Sequence, residues 1–461
     1  MTTRRRVITA AATATVVVLS TAKPAGAHGV GGRADLPLPV WLFAYSAAFA
    51  LLISFVALRI LWPRPRLAAA ADGRPVPDWV DRVGLGLLAI ARALVMVLFL
   101  TTVVSAWFGV DSVAANLAPT SFYVVFWVGM QVVSAVVGDV WRRVNPLWTV
   151  AAGVSRLRGR DPGTSSAEGA WASHWPAVIG ISAFLWLELA YYEAGSTAAI
   201  GIFLGAYSFA VLAGAAAFGA GWISVGDGFA VLFSLLGALS PIHRPHGGRL
   251  RLRWPGSGLS TVEPRPGTLA LILILLGGTT FDGVTRTEFW DEIAGTRQDW
   301  DLTIVNSLGL ALVVGTVAVL FLGASRLVSV LANDDDGTVQ QAWRWAPSLI
   351  PIVLAYAIAH YFSLLVYEGQ AFLALLSDPL GEGWDLFGTA DQLIDYTVVS
   401  PTTIAYVQVG AIVIGHVCGV IAAHDRATEI YSEKVAVRSQ YPLLAVMIAY
   451  TVGGLLLLLN A

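Results

Sequence analysis

Apolar segments, each close to the length of a bilayer crossing, recur from residue 39 to residue 459 of this 461-residue chain. The polar stretches between them are too short to hold a second fold. Within a bilayer there is no water to satisfy backbone groups, so segments of ~20 apolar residues are expected to be helices that bond internally. About ten spans can be placed: 40–60, 84–107, 121–140, 176–193, 198–221, 267–282, 304–324, 347–375, 397–422 and 441–459. The composition, 56% hydrophobic and 13% charged, excludes an ordinary soluble chain. The expected fold is an all-α, polytopic transmembrane helical bundle.

The first 27 residues, MTTRRRVITAAATATVVVLSTAKPAGA, read as a signal peptide. Arg4 to Arg6 form a basic start, Val7 to Leu19 an apolar stretch too short to span, and Ala25-x-Ala27 a cleavage site. Cleavage after Ala27 makes His28 the new first residue and leaves one membrane domain over 28–461. The alternative is an uncleaved leading helix, which adds a span and places the amino terminus on the cytoplasmic side.

Loop charges set the expected orientation. RILWPRPR, WRRVNPLWTVAAGVSRLRGR, HRPHGGRLRLR and the 425–440 segment fall on one side, which the positive-inside rule makes cytoplasmic. Loops with Asp111, with Glu288 to Asp301 and with Asp378 to Asp395 face outward, as do both ends of the mature chain. A cytoplasmic (plasma) membrane location follows. Residues 222–266 are expected to hold an interfacial or re-entrant helix, interrupted at Gly226, Asp227 and Gly228, followed by a cytoplasmic loop. The formal charge of −2, with basic residues grouped beside spans, gives no reason to expect nucleic acid. Cys418 stands alone, so neither an internal disulfide nor a cysteine metal site is expected.

Ionisable groups inside spans are the informative residues, because each is costly there unless paired or hydrated. Span eight carries Tyr356, His360, Ser363 and Tyr367 on one helical face, with Glu368 and Gln370 beyond them. Span four carries Glu188 with Tyr191 beside it; span six ends with Asp282; span nine holds Gln408 and His416. Oxygen and imidazole donors at His28, Glu188, Asp282, His360 and Glu368 are candidate ligands for a divalent metal. His28 alone, with its ring and a free amino terminus, offers a pair suited to copper. His360 and Glu368 sit about 12 Å apart along one helix and cannot share an ion directly. Tyr191, Tyr356, Tyr367, Gln370, Gln408 and His416 are candidates for a proton or ion path. The competing reading makes His360 a neutral ring that bonds to Tyr or Ser and holds helices together. Arg92, deep in span two, is expected to pair with Asp139, to snorkel inward or to meet an anion or headgroup. Gly415 and Gly419 form a small-residue face open to another helix.

The segments AHGVGGRADLPLPVWLF, GDVWRRVNPLW, TTFDGVTRTEFW, AHYFSLLVYEGQ and GHVCGVIAAHDRA, taken as a set, resemble an actinobacterial family of multi-pass membrane proteins labelled fenitrothion hydrolase. The resemblance covers most of the mature chain. It implies hydrolysis of an organophosphate ester and carries no catalytic positions onto these residues; the donor set His28, Glu188, Asp282, His360 and Glu368 separately suits a metal-assisted form of that hydrolysis. The chain has no HExxH and no nucleophile elbow. The distribution of polar groups over several depths favours transport or handling of an ion, metal or small solute through an outward-facing polar cavity. A membrane scaffold or assembly protein is the third reading; beyond the lipid bilayer and a small solute or metal ion, no partner is indicated.

Overall fold

The computed structural model describes residues 39–459 apart from 246, 247 and 336. The expected leader and His28 lie outside the described residues. Helices are α1 Val40–Leu61, α2 Asp78–Phe108, α3 Leu117–Val137, α4 Trp175–Leu189, α5 Thr197–Phe218, the pair α6 Ala220–Gly226 and α7 Gly228–Gly237, α8 Thr268–Thr285, α9 Asp299–Ala332, α10 Ile350–Ser377, α11 Pro401–Ile430 and α12 Tyr441–Leu459. Local chemistry starts several of them. The Ser196 hydroxyl accepts from Ala199 N ahead of α5, and Ser400 accepts from Thr403 N ahead of α11, where Pro401 occupies the first turn.

Nine helical segments among the described residues are long and apolar enough to cross a membrane, ten if α6 and α7 count as one. The segment expected at 176–193 is shorter than a span. Its helix α4 has 15 residues, about 22 Å of rise against a hydrocarbon layer of ~30 Å. The chain turns at Ala190, and Tyr191 and Tyr192 fold their rings against Trp300 at 5.8 and 6.2 Å.

Burial sorts the helices into two shells. The most apolar window of α2 has none of its residues buried inside the protein, and that of α9 only 11%. Their faces present Leu85, Ile90, Leu94, Leu308, Leu312 and Val319 outward, a surface that only lipid covers favourably. In α8 and in the segment that contains α10, 67% and 61% of the window is buried. The helices that carry Asp282 and His360 are therefore the inner ones.

Between α6 and α7 the axis bends by 71° at Asp227. Asp227 Oδ1 accepts from Tyr207 OH at 2.5 Å and from Phe229 N at 3.0 Å, while Oδ2 accepts from Asn145 at 2.8 Å. Every residue of α7 except Ser234 is buried. Phe229 and Phe233 meet Phe126, Trp127, Trp141 and Phe184 edge-on or tilted at 4.8–6.3 Å. A helix broken at membrane depth is thus enclosed by protein, as an irregular backbone there requires. At the arginine-rich end, β1 Arg74–Pro75, β2 Ile242–His243 and β3 Arg251–Leu252 form a small antiparallel sheet in the order β1, β3, β2.

Two contacts refine the sequence reading. Arg92 does not pair with Asp139; its Nε donates to the Arg143 carbonyl at 2.7 Å and its guanidinium lies 5.6 Å from the Trp148 ring. A backbone carbonyl at the end of α3's connection is nearer in its reach than the carboxylate, which faces Arg142 and Arg143 instead. Gly415 and Gly419 do admit a neighbour: a Cβ at Gly415 would overlap Ala355 and Pro351 O of α10, and one at Gly419 would press on Ser348 O.

Gly415→Ala is therefore expected to destabilise the protein by about 1–3 kcal/mol through overpacking. Gly410→Ala, where a Cβ meets nothing within 4 Å, is expected to leave the detergent melting temperature level or higher. A second expectation concerns His174, just before α4, whose Nδ1 lies 2.8 Å from Thr268 Oγ1. Burial, helped by the Arg265 charge, pulls this ring from 6.5 down to about 4. Between those values the unfolded chain holds the extra proton, so stability falls as pH drops through that window. The loss is on the order of 2–3 kcal/mol when complete. Melting curves from pH 7 to pH 4 should show a drop that His174→Gln reduces; an equal drop in the variant refutes the assignment.

Candidate functional site

Four helices converge on one polar cluster. Asp282 stands near the end of α8, a helix made of LALILILLGGTTFDGVT in which Gly277 and Gly278 permit close approach. A Cβ at Gly277 would overlap Val314 of α9, and one at Gly278 would lie 3.1 Å from Leu185 of α4. That approach brings the last turn of α4, with Glu188, toward Asp282. Adjacent residues of α10, His360 and Tyr361, enter from the third side. Trp127 comes from α3, whose residues Thr120–Gly129 are wound as a π-helix. The wider i→i+5 winding re-aims side chains relative to an α-helix and recurs at functional positions.

Tyr361 OH lies 3.0 Å from Glu188 Oε1 and 3.1 Å from Asp282 Oδ2. Asp282 Oδ2 is also 2.6 Å from His360 Nε2, a short charge contact in which the ring N–H does not align with the oxygen. Arg286 Nε approaches Asp282 Oδ1 at 3.8 Å. Glu188 Oε2 and Trp127 Nε1 are buried and have no hydrogen-bond partner among the described residues, although Trp127 borders both Glu188 and Tyr361.

A phenol has one proton to donate. Two ionised carboxylates can only accept, so both contacts of Tyr361 are hydrogen bonds only when one carboxyl carries a proton. Asp282 faces the His360 ring and Arg286, while Glu188 faces tyrosines and an indole. With both contacts made, the two carboxyls hold one proton between them. The result is a hydrogen-bonded chain from Glu188 through Tyr361 to Asp282, with the His360 ring 2.6 Å beyond it.

Beyond His360 lies a cavity of about 20 Å³, lined by Thr279, Thr280, Tyr356, His360, Ile412 and Gly454 among others. That is room for one water. Tyr356 OH donates to Tyr450 O at 3.0 Å, and Tyr450 OH pairs with Thr280 Oγ1 at 2.6 Å. The His416 ring lies 5.9 Å from that of Tyr356 and 6.2 Å from that of Tyr450. Its Nδ1 meets the Ile412 carbonyl at 2.8 Å. A carbonyl only accepts, so Nδ1 bears a proton, and the other ring nitrogen, Nε2, is left for a different partner. That atom is buried and has no partner among the described residues.

Of the residues singled out from sequence, Glu188, Asp282 and His360 come together, and Tyr356 and His416 lie one layer further along. Glu368 is half-buried, outside the cluster, about 12 Å along α10 from His360. Tyr191 stacks among Trp186, Tyr192 and Trp300 at the acidic end. Tyr367 donates to Val399 O at 2.8 Å, and Gln370 bonds to the Asp395 N–H and carbonyl, so both fasten the loop before α11. Gln408 is buried with Oε1 unpartnered among the described residues. Among the described residues no three His, Cys, Asp or Glu side chains form a group that could hold a metal. Glu188, Asp282 and His360 are strung along Tyr361 and do not surround one point.

Tyr361 and Trp127 were not singled out. Tyr361 had a signal, since a phenol inside an apolar helix needs a partner for its hydroxyl. Trp127 had none, because its aim depends on the π-helical winding of α3. The architecture defines a polytopic membrane protein with a buried carboxyl pair between its inner helices. Comparison with family models, curated proteins and solved structures finds no match.

Infrared difference spectroscopy at neutral pH should detect a protonated carboxyl whose C=O band disappears in Glu188→Gln and moves in Tyr361→Phe. Identical bands in the protein and both variants exclude the shared proton.

Proposed function

We propose that the protein transports an ion or small solute across its membrane with coupled proton movement, and that Glu188, Tyr361, Asp282 and His360 are the proton-bearing relay. The observation that carries this reading is Tyr361 placed between two buried carboxyls, at 3.0 and 3.1 Å, with an imidazole 2.6 Å beyond. A group of this kind changes its charge by moving one proton, which is what coupling to a charged solute requires. A scaffold would gain from closing every polar contact. Here Glu188 Oε2 and His416 Nε2 remain buried and open among the described residues, which suits groups that take and release a proton or a cation. With the basic loops on the cytoplasmic side, the carboxyl pair belongs to an outward-facing cavity, and the Tyr356, Tyr450 and His416 layer continues inward from it.

The test is proton movement in proteoliposomes loaded with a pH-sensitive dye and challenged with a panel of monovalent cations, divalent cations and small organic solutes. Wild-type vesicles should show solute-dependent proton flux. Tyr361→Phe, Glu188→Gln and Asp282→Asn should each slow it by about a hundredfold or more, the lower end of the range for removing a positioned proton carrier. Tyr367→Phe, outside the relay, should keep it. Flux that persists in all three relay variants, or no flux across the panel, rules the proposal out.

A further inference from the structure

At the arginine-rich end, far along the chain from the relay residues, four guanidinium groups crowd around two carboxylates. Arg92 comes from α2, Arg142 and Arg143 from the short helix Trp141–Val144, and Arg244 from the segment after β2. The carboxylates are Asp81, which lies 2.8 Å from Arg244 Nη2 as an ion pair and accepts from Leu250 N at 2.7 Å, and Asp139, which faces Arg142 and Arg143. Two negative groups leave a surplus of positive charge.

The positive-inside tendency accounts for arginines in water-facing loops. It does not account for their packing together. The Arg244 side chain is only 10% exposed, and its Nε is buried without an acceptor among the described residues. Arg92 is held by its Nε on the Arg143 carbonyl and rests on the Trp148 ring, which leaves its two Nη groups without an acceptor among the described residues. Arg143 is pulled below the usual arginine range, first by burial and then by the charges of Arg244, Arg142 and Arg92; Asp139 alone among its neighbours acts the other way. Like charges held this close are repulsive unless an anion lies among them.

We propose that Arg92, Arg143 and Arg244, with Arg142 at the rim, form a binding site for a phosphate-bearing anion: the phosphodiester headgroup of an anionic lipid or free phosphate. Guanidinium forks match phosphate oxygens in geometry as well as charge. The lipid source has structural support. α2 is an outer helix with its apolar face toward lipid, and Trp79 stands 65% exposed near its start, where interface aromatics sit. A phospholipid lying along α2 brings its phosphate to the arginine-rich end, where the half-buried Arg92 side chain reaches Arg143. The site does not depend on the transport reading, and either can fail alone.

Purified protein, delipidated in neutral detergent, can be titrated with phosphatidylglycerol, phosphatidylcholine or inorganic phosphate and followed by native mass spectrometry and melting temperature. Phosphatidylglycerol is expected to bind at least tenfold more tightly than phosphatidylcholine, and the double variant Arg143→Gln, Arg244→Gln to weaken it by about tenfold or more. The control variant Arg156→Gln, Arg158→Gln, with exposed arginines outside the cluster, is expected to bind as the wild type does. Stabilisation by inorganic phosphate alone, lost in the double variant, supports the site with free phosphate as its occupant. Equal binding of the two lipids without a phosphate effect overturns the proposal. So does an equal loss in the control variant, which would assign the effect to general surface charge. Arg92→Lys supplies a folded check: it keeps the charge, loses the fork and should bind with intermediate affinity. Wild-type affinity in both Arg92→Lys and the double variant also overturns the site.

Discussion

Tyr361 between Glu188 and Asp282 is the contact on which the inner half of the molecule depends. It ties α10 to α4 and α8 at a depth where no solvent competes for the hydroxyl or the carboxyls. Its geometry demands one proton for two acids, so charge and position are set together. The glycines of α8 serve this contact. By letting α8 lie close against α4 and α9 they bring two acidic side chains within reach of a single phenol. His360, next in the chain to Tyr361, then places its Nε2 2.6 Å from Asp282 Oδ2 and ties the same helix to α8 a second time.

The bend at Asp227 plays the corresponding part on the other side of the core. There the Asp227 carboxyl is enclosed by Tyr207, Asn145 and the Phe229 N–H, which among the described residues leave neither oxygen open. The comparison is instructive because the two acidic sites use similar residue types to opposite ends. Asp227 has every oxygen occupied and caps α7 as a structural group. The Glu188 and Asp282 pair has oxygens and neighbours left open, joined by a hydroxyl that can donate in either direction. The aromatic packing of α7 against Phe126, Trp127 and Phe184 connects the two, since Trp127 belongs to both the hydrophobic core and the rim of the carboxyl pair.

Much of the fold was legible in the sequence because hydropathy is a local property and a span needs only length and apolar content. Ionisable residues within those spans stood out for the same reason, and Glu188, Asp282 and His360 were found that way. Helix α4 ends short of the expected residue 193 because the backbone turns at Ala190, where Tyr191 and Tyr192 leave the helix to meet Trp300. Tyr361 was passed over for the stripe of Tyr356, His360 and Tyr367, which a helical period places on one face. The period was right, but the relay uses a side chain one position off that face. Arg92 was expected to pair with Asp139, to snorkel inward or to meet an anion or headgroup; of these the pairing is not made, and a backbone carbonyl and an indole ring hold it instead, partners that no charge pattern reveals.

By itself the sequence determined that the chain lives in a membrane, roughly where its helices run, and which polar groups have to be hidden or paired. Only the tertiary structure decided which helices are inside, that residues 120–129 wind as a π-helix, and that one tyrosine joins two acids from different helices. The physical reason is that lipid-facing and protein-facing positions in a span are equally apolar, so hydrophobicity cannot say which helix meets which. That choice rests on steric fit, on glycines where backbones touch and on hydrogen bonds between distant residues, all of which exist only once the helices are packed.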